Sequence, residues 1–112
     1  MAYKWGDIVW ARLPFTSYQD DERHPVIIVS QRNRGREVTV IQMTSKVGRA
    51  RARGDYVLKR PHDHPANLDK AGAVRPKIFI ILKGRVLERI GHLHQDDYDG
   101  VKAFIRSTLG CD

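Results

Sequence analysis

A chain of 112 residues has the size of one domain, and its 41% apolar residues suffice for a single modest core. Twenty Lys and Arg against thirteen Asp and Glu leave a net charge of +7, which favours a polyanionic partner because each neutralised phosphate releases condensed counterions. No stretch approaches the ~20 apolar residues of a membrane span, no secretory leader is expected, and the lone Cys111 cannot form an internal disulfide, so membrane and disulfide-stapled secreted classes are excluded and a cytoplasmic protein is expected.

Residues Gly6 to Leu13 (GDIVWARL) read as a strand with loose alternation, ended by Pro14. Thr16 to His24 (TSYQDDERH) has no apolar period and is too long for a tight hairpin, which makes it a candidate functional loop. Pro25 to Gln31 (PVIIVSQ) is a β-branched run and reads as a buried central strand. Arg32 to Arg36 (RNRGR) carries the glycine of a hairpin turn, and Glu37 to Met43 (EVTVIQM) follows as a strand.

Lys46 to Gly54 (KVGRARARG) is the most basic stretch and reads as a mobile loop. In an extended loop Arg49, Arg51 and Arg53 would present on one side, with Gly48 and Gly54 as hinges. Such cations suit non-specific contacts to a nucleic-acid backbone. Asp55 to Leu58 is a short strand, and His62 to Gly72 is irregular with room for one helical turn. Val74 to Leu82 and Gly84 to Ile90 are the last two strands, joined tightly at Lys83 and Gly84. From Gln95 to Leu109 the period changes: Tyr98, Val101, Ile105 and Leu109, with Phe104 beside them, mark one face of an amphipathic helix. Asp96 and Asp97 at its start, Lys102 and Arg106 toward its end and Gly110 after it match the helix dipole and a glycine cap. With no internal repeat or low-complexity linker, residues 1–112 read as one α+β unit of five or six strands and a helix.

Taken in order, GDIVW, the polar loop, HPVIIVS, VIQMTS, VRPKIFII and ERIGHLHQDDYDGVKAFIRSTLG resemble the PemK/MazF toxins of type II toxin–antitoxin systems over nearly the whole chain. The resemblance implies an SH3-like β-barrel of five to seven strands with a C-terminal helix, a homodimer, and neutralisation by an acidic antitoxin. It also implies metal-independent cleavage of single-stranded RNA, in which a 2′-hydroxyl attacks the adjacent phosphorus. That chemistry needs a base, an acid and cations or donors around the phosphorane.

The family's catalytic Arg before the strand-opening Pro is replaced by His24, with Arg23 beside it. Imidazole suits proton transfer near neutral pH better than guanidinium does. The alternative is that His24 marks a weakened member or that Arg23 supplies the cation. Thr44, followed by Ser45, matches the family's phosphate-donating Thr, although strand-end Thr and Ser also form plain turns. Arg75 matches a phosphate-binding Arg, but the acid expected two residues later is Lys77, a phosphate-steering cation at most. The catalytic candidates are therefore His24, Thr44 and Arg75; the RNA-binding candidates are Arg23, Ser45, Lys46, Arg49, Arg51, Arg53, Lys77 and a stacking Tyr18. Trp10 reads as core, and Phe15 is a weaker stacking candidate than Tyr18.

The pairs His62/His64 and His92/His94 have metal-ligand spacing, but nothing in the sequence brings them together, so no metal or other cofactor is expected. The rival reading is a non-catalytic protein on the same fold that binds RNA or inhibits a protein target such as gyrase. A DNA-binding repressor is disfavoured because no helix-turn-helix pattern appears.

Overall fold

The computed structural model describes residues 3–13, 23–30 and 35–110. Among these residues six strands follow in chain order: β1 (Asp7–Ala11), β2 (His24–Ile28), β3 (Glu37–Thr44), β4 (Tyr56–Val57), β5 (Ala73–Leu82) and β6 (Val86–His92). Helix α1 (Val47–Arg53) follows β3, and α2 (Tyr98–Leu109) ends the described chain. All pairings are antiparallel, in the order β4-β5-β3-β2-β1-β6. The α+β class and the C-terminal helix are as expected, while the sheet is curled rather than closed, with β4 and β6 at its edges.

Alternate residues feed two separate apolar clusters. Ile8, Ile27, Ile41 and Val74 pack on one face with Leu93 and Val101, and Tyr98, Phe104 and Ile105 of α2 cover them. Val9, Val26, Ile28, Val38, Val40, Ile81 and Val86 pack on the other, joining five strands. Because both faces are buried, β1 and β2 read as near-continuous apolar runs, and register shifts between Ile8 and Val9 and between Trp10 and Ala11 loosen the alternation further.

Two stretches differ from the sequence reading. Lys46–Gly54 is not a mobile loop: Val47–Arg53 forms α1, with Ala50 fully buried and Gly54 at φ 83° closing the turn by donating to the carbonyls of Ala50 and Arg51. Alternating Arg and Ala are strong helix formers, and the glycine is the C-terminal stop rather than a hinge. The two last strands are joined by a 3₁₀ turn at Lys83–Arg85, so β6 starts at Val86 and runs on to His92. A second 3₁₀ turn, Gln95–Asp97, precedes α2, with the His94 ring accepting from the Asp96 backbone N–H at 3.1 Å.

Asp97, expected as a dipole partner of the helix, is fully buried and has a tertiary role instead. Its Oδ1 accepts from the Tyr56 hydroxyl and the Lys59 backbone N–H, both at 2.7 Å, and its Oδ2 accepts from the Arg60 N–H at 3.1 Å. Burial, followed by the hydrogen bond to Asp97 and its charge, pushes the Tyr56 phenol well above its ordinary pKa. The junction pins the start of the 61–72 segment to the base of α2. The segment is tied down further by Leu68 N–H to Pro61 O (2.8 Å), Leu58 N–H to Gly72 O (2.9 Å) and His92 N–H to Pro65 O (2.9 Å).

Candidate nucleic-acid interface

The β3 face that carries Val38 and Val40 runs on into Gln42 and Thr44, and the matching face of β2 runs back from Ile28 and Val26 to His24. Where the apolar residues stop, the polar ones open into a cavity of about 780 Å³. Trp10, Pro25, Thr44, Arg49 and Arg75 are among its walls, and the 67–72 segment closes one side.

His24 opens β2 opposite Ala11 and is half-buried. Thr44 ends β3 opposite Ala73, and its Oγ1 accepts from the Lys46 backbone N–H at 3.1 Å. That bond is the local turn expected of a strand-end Thr, and it leaves the hydroxyl proton free to be donated elsewhere. Arg75 lies at an irregularity in the β3–β5 ladder: between the pairs Ile41–Ile78 and Met43–Val74, Arg75, Pro76 and Lys77 stand opposite Gln42 alone. The Arg75 Nε is buried and donates to nothing among the described residues.

The structure thus gathers His24, Thr44 and Arg75 in one cavity, together with Ser45, Lys46, Arg49 and Arg53. Arg51 and Lys77 are exposed and do not line it. The helix explains the division: residues four apart share a face, so Arg49 and Arg53 point together, whereas Arg51 is turned about 200° from Arg49. Arg23 sits outside the lining, its Nη1 on Glu88 Oε1 at 3.1 Å and its guanidinium 5.3 Å from the centre of the Trp10 ring. Tyr18 and Phe15 lie outside the described residues.

Electrostatically the cavity suits an anion. Lys46, Arg49, Arg53, Lys70 and Arg75 line it against one carboxylate, Asp69. Arg53 is partly neutralised by Asp55, which its Nη2 and Nε reach at 3.1 and 3.2 Å. No described carboxylate pairs with Arg49 or Lys46.

Gln42, Asn67, Asp69 and Lys70 were not among the sequence candidates, and Trp10, expected in the core, is half-buried and lines the cavity. Gln42 had a readable signal: it is the polar residue at an inward position of an otherwise apolar alternation. Asp69 had none, because only tertiary folding brings its segment over the cavity.

The histidine pairs have separate partners. His92 bridges Asp7 Oδ1 through Nδ1 and the Tyr98 hydroxyl through Nε2, each at 2.9 Å, joining β1, β6 and α2. His62 Nδ1 is 2.8 Å from the Leu68 carbonyl, and His64 is exposed.

The family model of PemK-like, MazF-like toxins of type II toxin–antitoxin systems matches residues 4–109. The chain belongs to this family. Among solved structures, this PemK/MazF-like fold is similar to an endoribonuclease in complex with its cognate antitoxin from a mycobacterial species, at TM-score 0.74 and 15% identity, covering 99% of this chain and 96% of that one. It also resembles an uncomplexed mycobacterial endoribonuclease (TM-score 0.73, 14% identity, 98% and 93% covered). The Mycobacterium tuberculosis toxin MazF-mt6 aligns at TM-score 0.71 and 22% identity, with 95% of this chain and 98% of that one covered. A search of curated proteins gave no match. The cavity lies where β2 begins, β3 ends and β5 begins, and His24 is on its lining.

Proposed function

We propose that this toxin is an endoribonuclease that cuts single-stranded RNA, the 2′-hydroxyl of one nucleotide attacking the phosphorus that follows it. The observation that carries the reading is the convergence of His24, Thr44 and Arg75 on one cation-lined cavity. The Arg75 guanidinium and the Thr44 hydroxyl donate to the non-bridging oxygens, where charge builds up in the phosphorane. His24 is one proton-transfer group, and Asp69 on the 67–72 wall is the second. One takes the 2′-hydroxyl proton and the other returns a proton to the departing 5′-oxygen, leaving a 2′,3′-cyclic phosphate. Lys46, Arg49 and Arg53 hold the flanking backbone, and none of these tasks requires a metal.

The same cations favour an acidic segment of an antitoxin, which would occupy the cavity in place of RNA. A second copy of the chain is the further partner proposed: Ile80 and Leu82 are 65% and 55% exposed on one face of β5, apolar area suited to a homodimer. Sedimentation of the purified toxin, alone and with Ile80→Glu, tests that assembly.

The test of the activity is incubation with a long single-stranded RNA in EDTA, followed by mapping of the 3′ ends, for wild type, His24→Ala, Asp69→Asn and Thr44→Ala. Discrete cuts ending in cyclic phosphate are expected, with the rate falling 10²–10⁴-fold in His24→Ala. A folded wild type that binds RNA and leaves it intact establishes the non-catalytic reading, which the replacement of the family's Arg by His24 favours.

A further inference from the structure

Among the described residues, Gln42 is the one that lines the cavity and combines near-complete burial with an unanswered polar atom. It is 9% exposed, lies on the face that carries Val38 and Val40, and borders the cavity. Its Oε1 is buried and accepts no hydrogen bond among the described residues. A buried acceptor left unsatisfied has a real cost, so its retention among apolar neighbours points to a ligand that supplies a donor. Across the ladder irregularity stands Arg75, whose Nε is a buried donor with the same lack of a partner. Though they lie at the same irregularity, the two atoms do not bond each other.

We infer that Gln42 is the specificity-determining residue of the cavity and reads the hydrogen-bonding edge of one nucleobase, with the Arg75 Nε–H as the complementary donor while the terminal N–H groups of the same guanidinium hold the phosphate. Phosphate cannot satisfy the Gln42 Oε1, because an ionised phosphate oxygen offers acceptors only. RNA carries donors in two places, base N–H groups and the 2′-hydroxyl. An acceptor and a donor side by side match a planar base edge, where an N–H group neighbours a ring nitrogen or carbonyl. Trp10 also borders the cavity and offers an aromatic surface on which a base can stack. Gln42 touches no reacting atom; it selects which sequence is brought to them. The inference rests on RNA being the ligand, as proposed above, and not on the RNA being cut.

The test uses the full toxin and a single-stranded RNA pool with a randomised window. One arm sequences the cleaved ends, and the other sequences RNA retained by immobilised protein. Wild type, Gln42→Leu and Gln42→Glu are compared, each checked for a cooperative thermal transition; Leu nearly matches the volume of Gln and continues the apolar face, so it folds. Wild type is expected to favour one base at one position. Gln42→Leu is expected to reduce that preference about 10–100-fold while sparing the other positions. Gln42→Glu, which offers acceptors only, is expected to shift it toward bases that present an amino group.

An unchanged preference in Gln42→Leu overturns the inference. So does an equal loss across all sequences, which is the signature of a contact to the 2′-hydroxyl. A base preference in the retained pool that depends on Gln42 sustains the inference even where the cleaved arm is empty, an outcome that refutes only the nuclease reading.

Discussion

Asp97→Ala is expected to be among the most damaging substitutions in this fold. The carboxylate is fully buried and accepts three hydrogen bonds, two of them at 2.7 Å and two from backbone N–H groups. Each unsatisfied buried donor costs about 1–3 kcal/mol, and the three are not additive because the loop relaxes. A loss of about 3–5 kcal/mol is expected, a large part of the ~5–15 kcal/mol that holds a domain together. Asp97→Asn keeps one acceptor but turns an amide N–H toward a backbone donor, so it should cost about 2–3 kcal/mol. Urea denaturation followed by circular dichroism reads both as a lower midpoint at constant slope. Tyr56→Phe removes only one of the three donors and should cost about 1–2 kcal/mol. The ordering Ala, then Asn, then Tyr56→Phe is the content of the prediction. A cost below about 1 kcal/mol for Asp97→Ala, or a Tyr56→Phe variant as unstable, refutes the claim that backbone satisfaction dominates this junction.

A methyl group on Gly100 of α2 would fall inside the Tyr56 ring, so Gly100→Ala should lose about 1–3 kcal/mol in the same assay, reversing the ~1 kcal/mol that Ala normally gains over Gly in a helix. Because the folded state holds the Tyr56 proton more tightly than the unfolded chain does, stability should be unaffected below the ordinary phenol pKa near 10 and fall as pH rises past it; Tyr56→Phe should flatten that alkaline decline in midpoint-against-pH curves. Gln42→Leu removes a buried unsatisfied acceptor from an apolar face and should raise stability by roughly 1 kcal/mol, visible as a higher melting temperature. Arg49→Ala should weaken RNA binding and reduce the salt slope by about 0.7, the single-strand value for one phosphate contact, whereas Arg51→Ala should leave the slope nearly unchanged; equal effects would show that the helix face does not choose the contact.

How much of this could be read from the residues depends on the range of the interactions involved. The C-terminal helix was legible because α2 is amphipathic and Val101, Phe104 and Ile105 meet the core as its period requires, although Leu109 at the last turn is 62% exposed. Thr44 and Arg75 were found by resemblance, and the cavity that joins them with His24 follows from strand register that no local pattern encodes. The two glycines of the basic stretch suggest an extended loop, but the helix propensity of its Arg–Ala alternation prevails. The difference has a chemical consequence: an extended loop groups Arg51 with Arg49 and Arg53, which the helix separates.

Gln42 shows where a single sequence holds more than resemblance extracts from it. A polar side chain at an inward position breaks the agreement between pattern and burial that makes a strand fold, and such local breaks collect at functional sites. Asp69 is the opposite case. Its segment has no period, and it is held at the cavity by tertiary bonds: Asp97 to Lys59 and Arg60, Leu58 to Gly72 and His92 to Pro65. The same carboxylate that stabilises the base of α2 therefore positions one wall of the candidate site. A weakened Asp97 junction should for that reason blunt RNA cleavage under conditions where the protein is still folded.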